Sequence, residues 1–313
     1  MWIVYSFVSA LCLGFYDISK KIALRGNSVF RVLALSVFFS ALLLSVPLLI
    51  SRLSPQMMMA TPFYVPQLDL TGHLFTLLKS VIVLSSWVFA YLSLKQLPIS
   101  VVSPIQATRP MWTLVGALLI FGERLNTWQW IGVILAIGSV FLFSFVHRPS
   151  SPRTSTSSFV LRPYIYLTLA VLLGACSGLY DKYLMQRYDH NAVQVYYMLY
   201  QAVLMFFAFV LRTFVLRPST SSFVHRTSVL RPSSFLAIPL ISIFLVISDN
   251  VYMLALSDPD SLIAVVSTVR RGGAVIGFAY GLLFLKEGDT LRKIACMAGI
   301  LAGLICLAMG SVG

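Results

Sequence analysis

Charge is scarce in this sequence. Only 11% of its 313 residues are Asp, Glu, Lys or Arg, against about 25% in an ordinary soluble domain, so a solvated globular fold is excluded for the body of the chain. Acid is scarcer still, with 10 acidic residues against 23 basic ones and a net charge of +13. A nucleic-acid binder would show such a balance, but it needs a solvated domain on which to cluster its charge. Here the basic residues sit mainly in short gaps between apolar stretches, which excludes nucleic acid as a partner and makes the lipid bilayer the expected one. The four cysteines (Cys12, Cys176, Cys296, Cys306) lie inside apolar segments without C-x-x-C spacing, so neither a disulfide framework nor a zinc site is indicated. The four histidines (His73, His147, His190, His225) are scattered without metal-ligand spacing. No phosphate-binding G-x-x-x-x-G-K-[ST], no H-E-x-x-H and no G-x-S-x-G occurs, and the serine of GACSG at 174–178 is misplaced for a nucleophile elbow. No ATP-driven mechanism, enzymatic activity, metal or cofactor is therefore expected.

What the chain has is apolar length, with 58% of its residues hydrophobic. A spanning helix needs roughly 20 mostly apolar residues. That criterion places spans near 2–24, 28–51, 73–95, 98–121, 126–146, 163–186, 192–216, 235–257, 260–285 and 290–311. No alternating barrel pattern competes with them. The amino-terminal run lacks the basic region and cleavage site of a signal peptide and is expected to stay as the first span.

The second half repeats the first. Gly14 matches Gly178, Tyr16 and Asp17 match Tyr180 and Asp181, Ser103 matches Ser267, and Glu123 matches Glu287, each pair 164 positions apart. Five spans per copy is an odd number, so the second copy enters the membrane from the opposite side. The expected fold is thus an all-α membrane protein of ten transmembrane helices in two inverted five-helix repeats, an arrangement of secondary transporters. The first repeat covers 1–147, a polar linker 148–162, and the second repeat 163–313 with a polar insertion near 217–234. The two polar tracts, SFVHRPSSPRTSTSSFVLRP and RPSTSSFVHRTSVLRPSS, are rich in Ser, Thr, Arg and Pro and read as loops without a packed core.

The run LIFGERLNTWQWIGVILAIGSVFL resembles the end of an EamA-type repeat of the drug/metabolite transporter superfamily, with its Gly-Glu pair, short polar turn and Gly-rich last helix. The second copy, FLKEGDTLRKIACMAGILAGLICL, departs from it by Lys286 in place of the glycine and by lacking a tryptophan in the turn. The resemblance implies a ten-helix secondary transporter or exporter of small metabolites, and no particular substrate.

An ionisable side chain near the bilayer centre costs at least about 2.5–3.5 kcal/mol and marks a functional site by default. At 1.5 Å per residue, Arg109 lies about 16 Å into the fourth expected span and Arg270 about 15 Å into the ninth. Arg109 precedes Pro110, and Arg270 and Arg271 precede Gly272 and Gly273, so both helices are expected to break there. Weakened helices at mid-depth in both halves point to a transporter binding site, and guanidinium forks suit carboxylate or phosphate oxygens. Arg109, Arg270 and Arg271, with Asn250 as a hydrogen-bonding neighbour, are the expected substrate residues. Asp17, Asp181 and Asp249 are candidates for gating or proton coupling, with Lys21 (and Lys20) one turn from Asp17. Internal ion pairing is the competing role for all of them. Glu123 and Glu287 are expected to tie helix ends together, and Gly299 and Gly303 to form a packing face within the chain or a homodimer seam.

The reading is a secondary transporter, exporter or exchanger, of small metabolites, anionic or zwitterionic such as amino acids or organic acids, in the plasma (inner) membrane. An intramembrane enzyme or a lipid- or drug-handling membrane protein is the alternative. Because the 217–234 tract is read as a loop without a transport role, its deletion should leave flux per expressed molecule unchanged in vesicles; abolished flux at normal expression would assign it a role.

Overall fold

The computed structural model describes residues 1–24, 27, 29–96, 108–146, 161–214, 232–273, 275–276, 279–280 and 290–312. Among them the chain forms helices and no strand: α1 (Trp2–Leu24), α2 (Val29–Leu53), α3 (Pro55–Met59), α4 (Leu70–Gln96), α5 (Arg109–Ile120), α6 (Thr127–Val146), α7 (Leu161–Met185), α8 (His190–Phe214), α9 (Pro232–Ser257), α10 (Ile263–Arg271) and α11 (Thr290–Val312). Six of these, α1, α2, α4, α7, α8 and α9, are long and apolar enough to cross a membrane. Shorter apolar stretches lie in α5, α6 and α11. Large apolar side chains such as Leu42, Leu119 and Phe207 are open on outward faces, as suits helices solvated by lipid.

The expected fourth and ninth spans are only partly described, because 97–107 and 281–289 lie outside the described residues. Most of both polar tracts does too, although their edges are helical: α6 runs on through Val146, α7 starts at Leu161 and α9 starts at Pro232. The short helix α3 was not expected. At the first expected break α5 begins at Arg109 with Pro110 in its first turn, where the missing N–H has no intrahelical acceptor to lose, and residues 97–107 before it lie outside the described residues. Helix α10 ends at Arg271, and Gly272 and Gly273 turn the chain.

Contacts divide the chain into two compact units. The first comprises Met1–Gly14, Ile82–Arg187 and Val251–Gly313. Its tightest seam is between α6 and α11, which run antiparallel. A Cβ at Gly303 would meet the Ala136 nitrogen and the Gly132 oxygen, both at 2.8 Å, and one at Gly132 would meet the Gly303 oxygen at 2.7 Å. Small residues let the two backbones touch, and the Gly299–Gly303 face is thereby used inside the chain. Asn126 and Gln129 close the seam with a reciprocal cap: each backbone N–H donates to the other's side chain, at 3.0 and 2.8 Å, while the Asn126 amide donates to the Gly310 oxygen at 2.6 Å. Gly273 performs the same service elsewhere, since any Cβ there would run into the Ala10 carbonyl oxygen of α1.

In the same unit, α10 lacks a side-chain cap of its own at Leu262. Its orphan amides are taken by Glu123: Ile263 N–H donates to Oε1 at 2.6 Å and Ala264 N–H to Oε2 at 3.1 Å. Gly122, in the left-handed region at φ 61°, turns the chain after α5 so that Glu123 can reach. Lys182, buried at 3% exposure, secures the segment before α10 by donating to Ser261 Oγ at 2.6 Å and to the Ser261 oxygen at 2.7 Å. Glu123 thus ties helix ends together as expected, and its counterpart Glu287 lies outside the described residues.

The second unit comprises Phe15–Val81 and Tyr188–Asn250. Asp189 opens α8 by accepting from Asn191 and Ala192 N–H at 2.9 and 3.1 Å. Ala23, Val32, Ala237, Ile238 and Ile241 form its apolar core. Arg52 ties α2 to the 60–69 loop and to α8, donating to the Val65 oxygen at 3.1 Å and to Tyr196 Oη at 2.7 Å. Lys20 sits over the ring of Tyr16 at 5.3 Å.

Two consequences can be measured on purified protein. Gly303→Ala should cost about 1–3 kcal/mol in thermal unfolding, the cost of overpacking, whereas Gly138→Ala, where a Cβ meets nothing within 4 Å, should be neutral or stabilising; equal effects would refute the α6–α11 seam. Loss of the Glu123 cap in Glu123→Ala should cost about 0.5–2 kcal/mol. Burial holds the Glu123 carboxyl above its ordinary range, with the Ala264 and Ile263 amides and the Lys182 ammonium pulling the other way. A raised folded-state value contributes stability at low pH that is lost as pH rises through it, so Glu123→Gln should gain most relative to wild type at neutral pH, and the gain should shrink on acidification.

Candidate functional site

In the first unit, two of the expected arginines gather around one face of α7. Gly174, Gly178 and Asp181 are spaced i, i+4 and i+7 along it, which puts them on one stripe of the helix. Arg109, half-buried at the start of α5, lays its guanidinium on this stripe and donates from Nη2 to the Gly174 oxygen at 2.6 Å. A Cβ at Gly174 would sit 2.7 Å from Arg109 Cζ, so only glycine leaves the guanidinium its place. One turn along, the Oη of Tyr252 from α9 is 3.9 Å from where a Gly178 Cβ would be. The ring of Tyr252, 5% exposed, carries the guanidinium of Arg270, whose Cζ is 4.1 Å from its centroid. Tyr252 therefore links Arg270 to the stripe that holds Arg109.

Each arginine is placed by its helix. Arg109 stands at the first turn of α5 because Pro110 is tolerated only there. Arg270 and Arg271 stand in the last turn of α10, where the helix dipole favours a cation. Arg270 is half-buried, and Arg271 is exposed. Asp181, at 7% exposure, is buried on the α7 stripe. A guanidinium on a glycine face and another on a tyrosine ring keep their planes fixed.

The other expected residues belong to the second unit. Asn250 enters a chain of amides, donating to Asn191 Oδ1 at 3.0 Å and to Gln194 Oε1 at 2.7 Å, while Gln194 donates to the Val246 oxygen at 2.7 Å. Asp249 is half-buried beside it, and Asp17 is exposed on α1. The side chain of Lys21 lies outside the described residues. No group of three potential metal ligands is present among the described residues.

Four residues of importance were not among those expected. Gly174 and Tyr252 carry no charge, and only tertiary contact reveals what they hold. Lys182 is masked in sequence by its neighbour Asp181. Lys79 could have been found: nine residues into α4, about 14 Å at 1.5 Å per residue, it satisfies the same depth criterion as Arg109, and it is 2% exposed.

Among known proteins, no curated protein matches the chain. A solved crystal structure of a protein that is 12% identical aligns over 98% of this chain and 96% of that one with a TM-score of 0.74; at that identity the likeness is one of fold alone. Residues 1–145 match the model of the EamA-like transporter family, which covers α1 to α5 and nearly all of α6 and includes the Gly122–Glu123 pair that caps α10. Residues 1–145 thus match the EamA-like transporter family of the drug/metabolite transporter superfamily, and with six helices long and apolar enough to cross a membrane the chain is a multi-pass membrane protein.

Proposed function

We propose that this protein is a secondary transporter, an exporter or exchanger, of small anionic or zwitterionic metabolites such as amino acids or organic acids. It works by alternating access of two inverted five-helix repeats in the plasma (inner) membrane. The family match supports transport, and the constant 164-residue offset between the halves supports the inverted pair. The observation that carries the substrate class is the pair of anchored guanidiniums, Arg109 against Gly174 of α7 and Arg270 over the ring of Tyr252 from α9.

In this reading Arg109, Arg270 and Arg271 hold the substrate's carboxylate or phosphate through paired N–H bonds, and Asn250 is a substrate-binding polar group of the second unit. Asp17, Asp181, Asp249 and Lys21 serve gating or proton coupling. Asp181 is the best placed of these, because it is buried on the α7 stripe that Arg109 touches.

The test is counterflow in proteoliposomes loaded with unlabelled amino acids, organic acids or sugar phosphates. One anionic class should exchange, and Arg109→Gln should reduce that exchange by about tenfold or more, the loss of a charge-assisted hydrogen bond. Equal exchange in the mutant would make Arg109 a structural donor to α7. Exchange confined to cations would contradict the substrate class.

A further inference from the structure

The second unit contains a layer of buried polar side chains that the arginine site does not use. On α4, Thr76, Lys79 and Ser80 are 0%, 2% and 0% exposed; on α8, Tyr197 and Gln201 are 5% and 0% exposed. The two helices touch on both sides of this layer. His73, one turn before Thr76, shares a 2.9 Å hydrogen bond with the hydroxyl of Tyr200, the neighbour of Gln201. Ser80 donates to the Tyr197 oxygen at 3.2 Å. Between these contacts Lys79 Nζ lies over the Tyr197 ring, 4.4 Å from its centroid, and Gln201 is one turn beyond Tyr197 on the same helix face.

Both amide atoms of Gln201 and the hydroxyl of Thr76 are fully buried and make no hydrogen bond among the described residues. Leaving such groups unsatisfied costs stability, and a leucine and a valine of like shape would avoid that cost. A fold keeps them at a loss when they have a partner at another moment. The orphaned groups are a hydroxyl and a side-chain amide, and the ammonium of Lys79 belongs to the same layer, one turn from Thr76. What answers such a set is an oxyanion, and the amide oxygen of Gln201 can accept from the ammonium of a zwitterion.

We propose that Thr76, Lys79 and Gln201 form a second station for the carboxylate of a small organic anion, shut in this conformation and satisfied when substrate passes between α4 and α8. The inference rests on the transporter reading but not on the arginine site. The amide chain from Asn250 to Gln194 continues it, because Gln194, Tyr197 and Gln201 are spaced i, i+3 and i+7 along α8.

The experiment measures equilibrium binding of labelled malate and glutamate to the purified full chain, together with thermal unfolding, for wild type, Lys79→Gln, Lys79→Arg, Thr76→Val, Gln201→Leu and Arg109→Gln. The station predicts that Gln201→Leu and Thr76→Val raise the melting temperature while weakening binding of one probe by about tenfold. Lys79→Gln should weaken that binding and Lys79→Arg restore most of it. Unchanged binding in stabilised Gln201→Leu and Thr76→Val would overturn the proposal, as would the absence of binding by either probe to wild type. If Arg109→Gln alone loses binding, the station fails and the arginine site stands. If the station variants lose binding and Arg109→Gln does not, the station stands and the arginine site fails.

Discussion

Hydrocarbon offers no hydrogen-bond partner, and that constraint dictates where this chain puts its polar side chains. Serines and threonines fold back onto carbonyls a turn earlier in their own helices, as Ser6 does to Trp2 and Thr268 to Ala264. Other polar side chains reach across. Arg109 finds the Gly174 carbonyl, Ser86 the Ala170 carbonyl and Ser242 the Ser36 carbonyl, each on a neighbouring helix. The helix ends, where four amides and four carbonyls are orphaned, receive Glu123, Asp189 and the Asn126–Gln129 pair. Against this background Gln201 and Thr76 stand out as groups that the described residues leave unanswered.

Glycine is the second half of the solution. Where a guanidinium, a backbone or a turn must come close, a Cβ would fill the space, and the chain places Gly174 under Arg109, Gly273 against α1, Gly303 against Gly132 and Gly122 at φ 61°. The Gly-Glu pair that marks the family resemblance thereby acquires a physical reason. Gly122 alone supplies the turn, and Glu123 then reaches the first two amides of α10.

Apolar length is a strong signal, so helices were legible: each expected span contains a described helix, and six of those helices are long and apolar enough to cross a membrane. The short α3, with Pro55 at its start, gives no such signal. The charged candidates were legible as residue types and depths, but the geometry that gives each its role was not. Pro110 looks in sequence like a breaker, and in the structure it stands in the first turn of α5. Gly174 and Tyr252 look like ordinary packing residues until Arg109 and Arg270 are seen lying on them. The matched pair Asp17 and Asp181 reads as equivalent in sequence, whereas one is exposed and the other buried.

The central claim is that the two halves cross the membrane in opposite senses, since alternating access and paired arginine helices both depend on it. The direct test is side-specific labelling of single cysteines placed at Arg124→Cys and Asp289→Cys, in corresponding turns of the two copies, with the four native cysteines replaced by serine. A membrane-impermeant thiol reagent should reach one site only from one face of sealed vesicles and the other only from the opposite face. Labelling of both from the same face would contradict the inverted repeat and the transport cycle built on it.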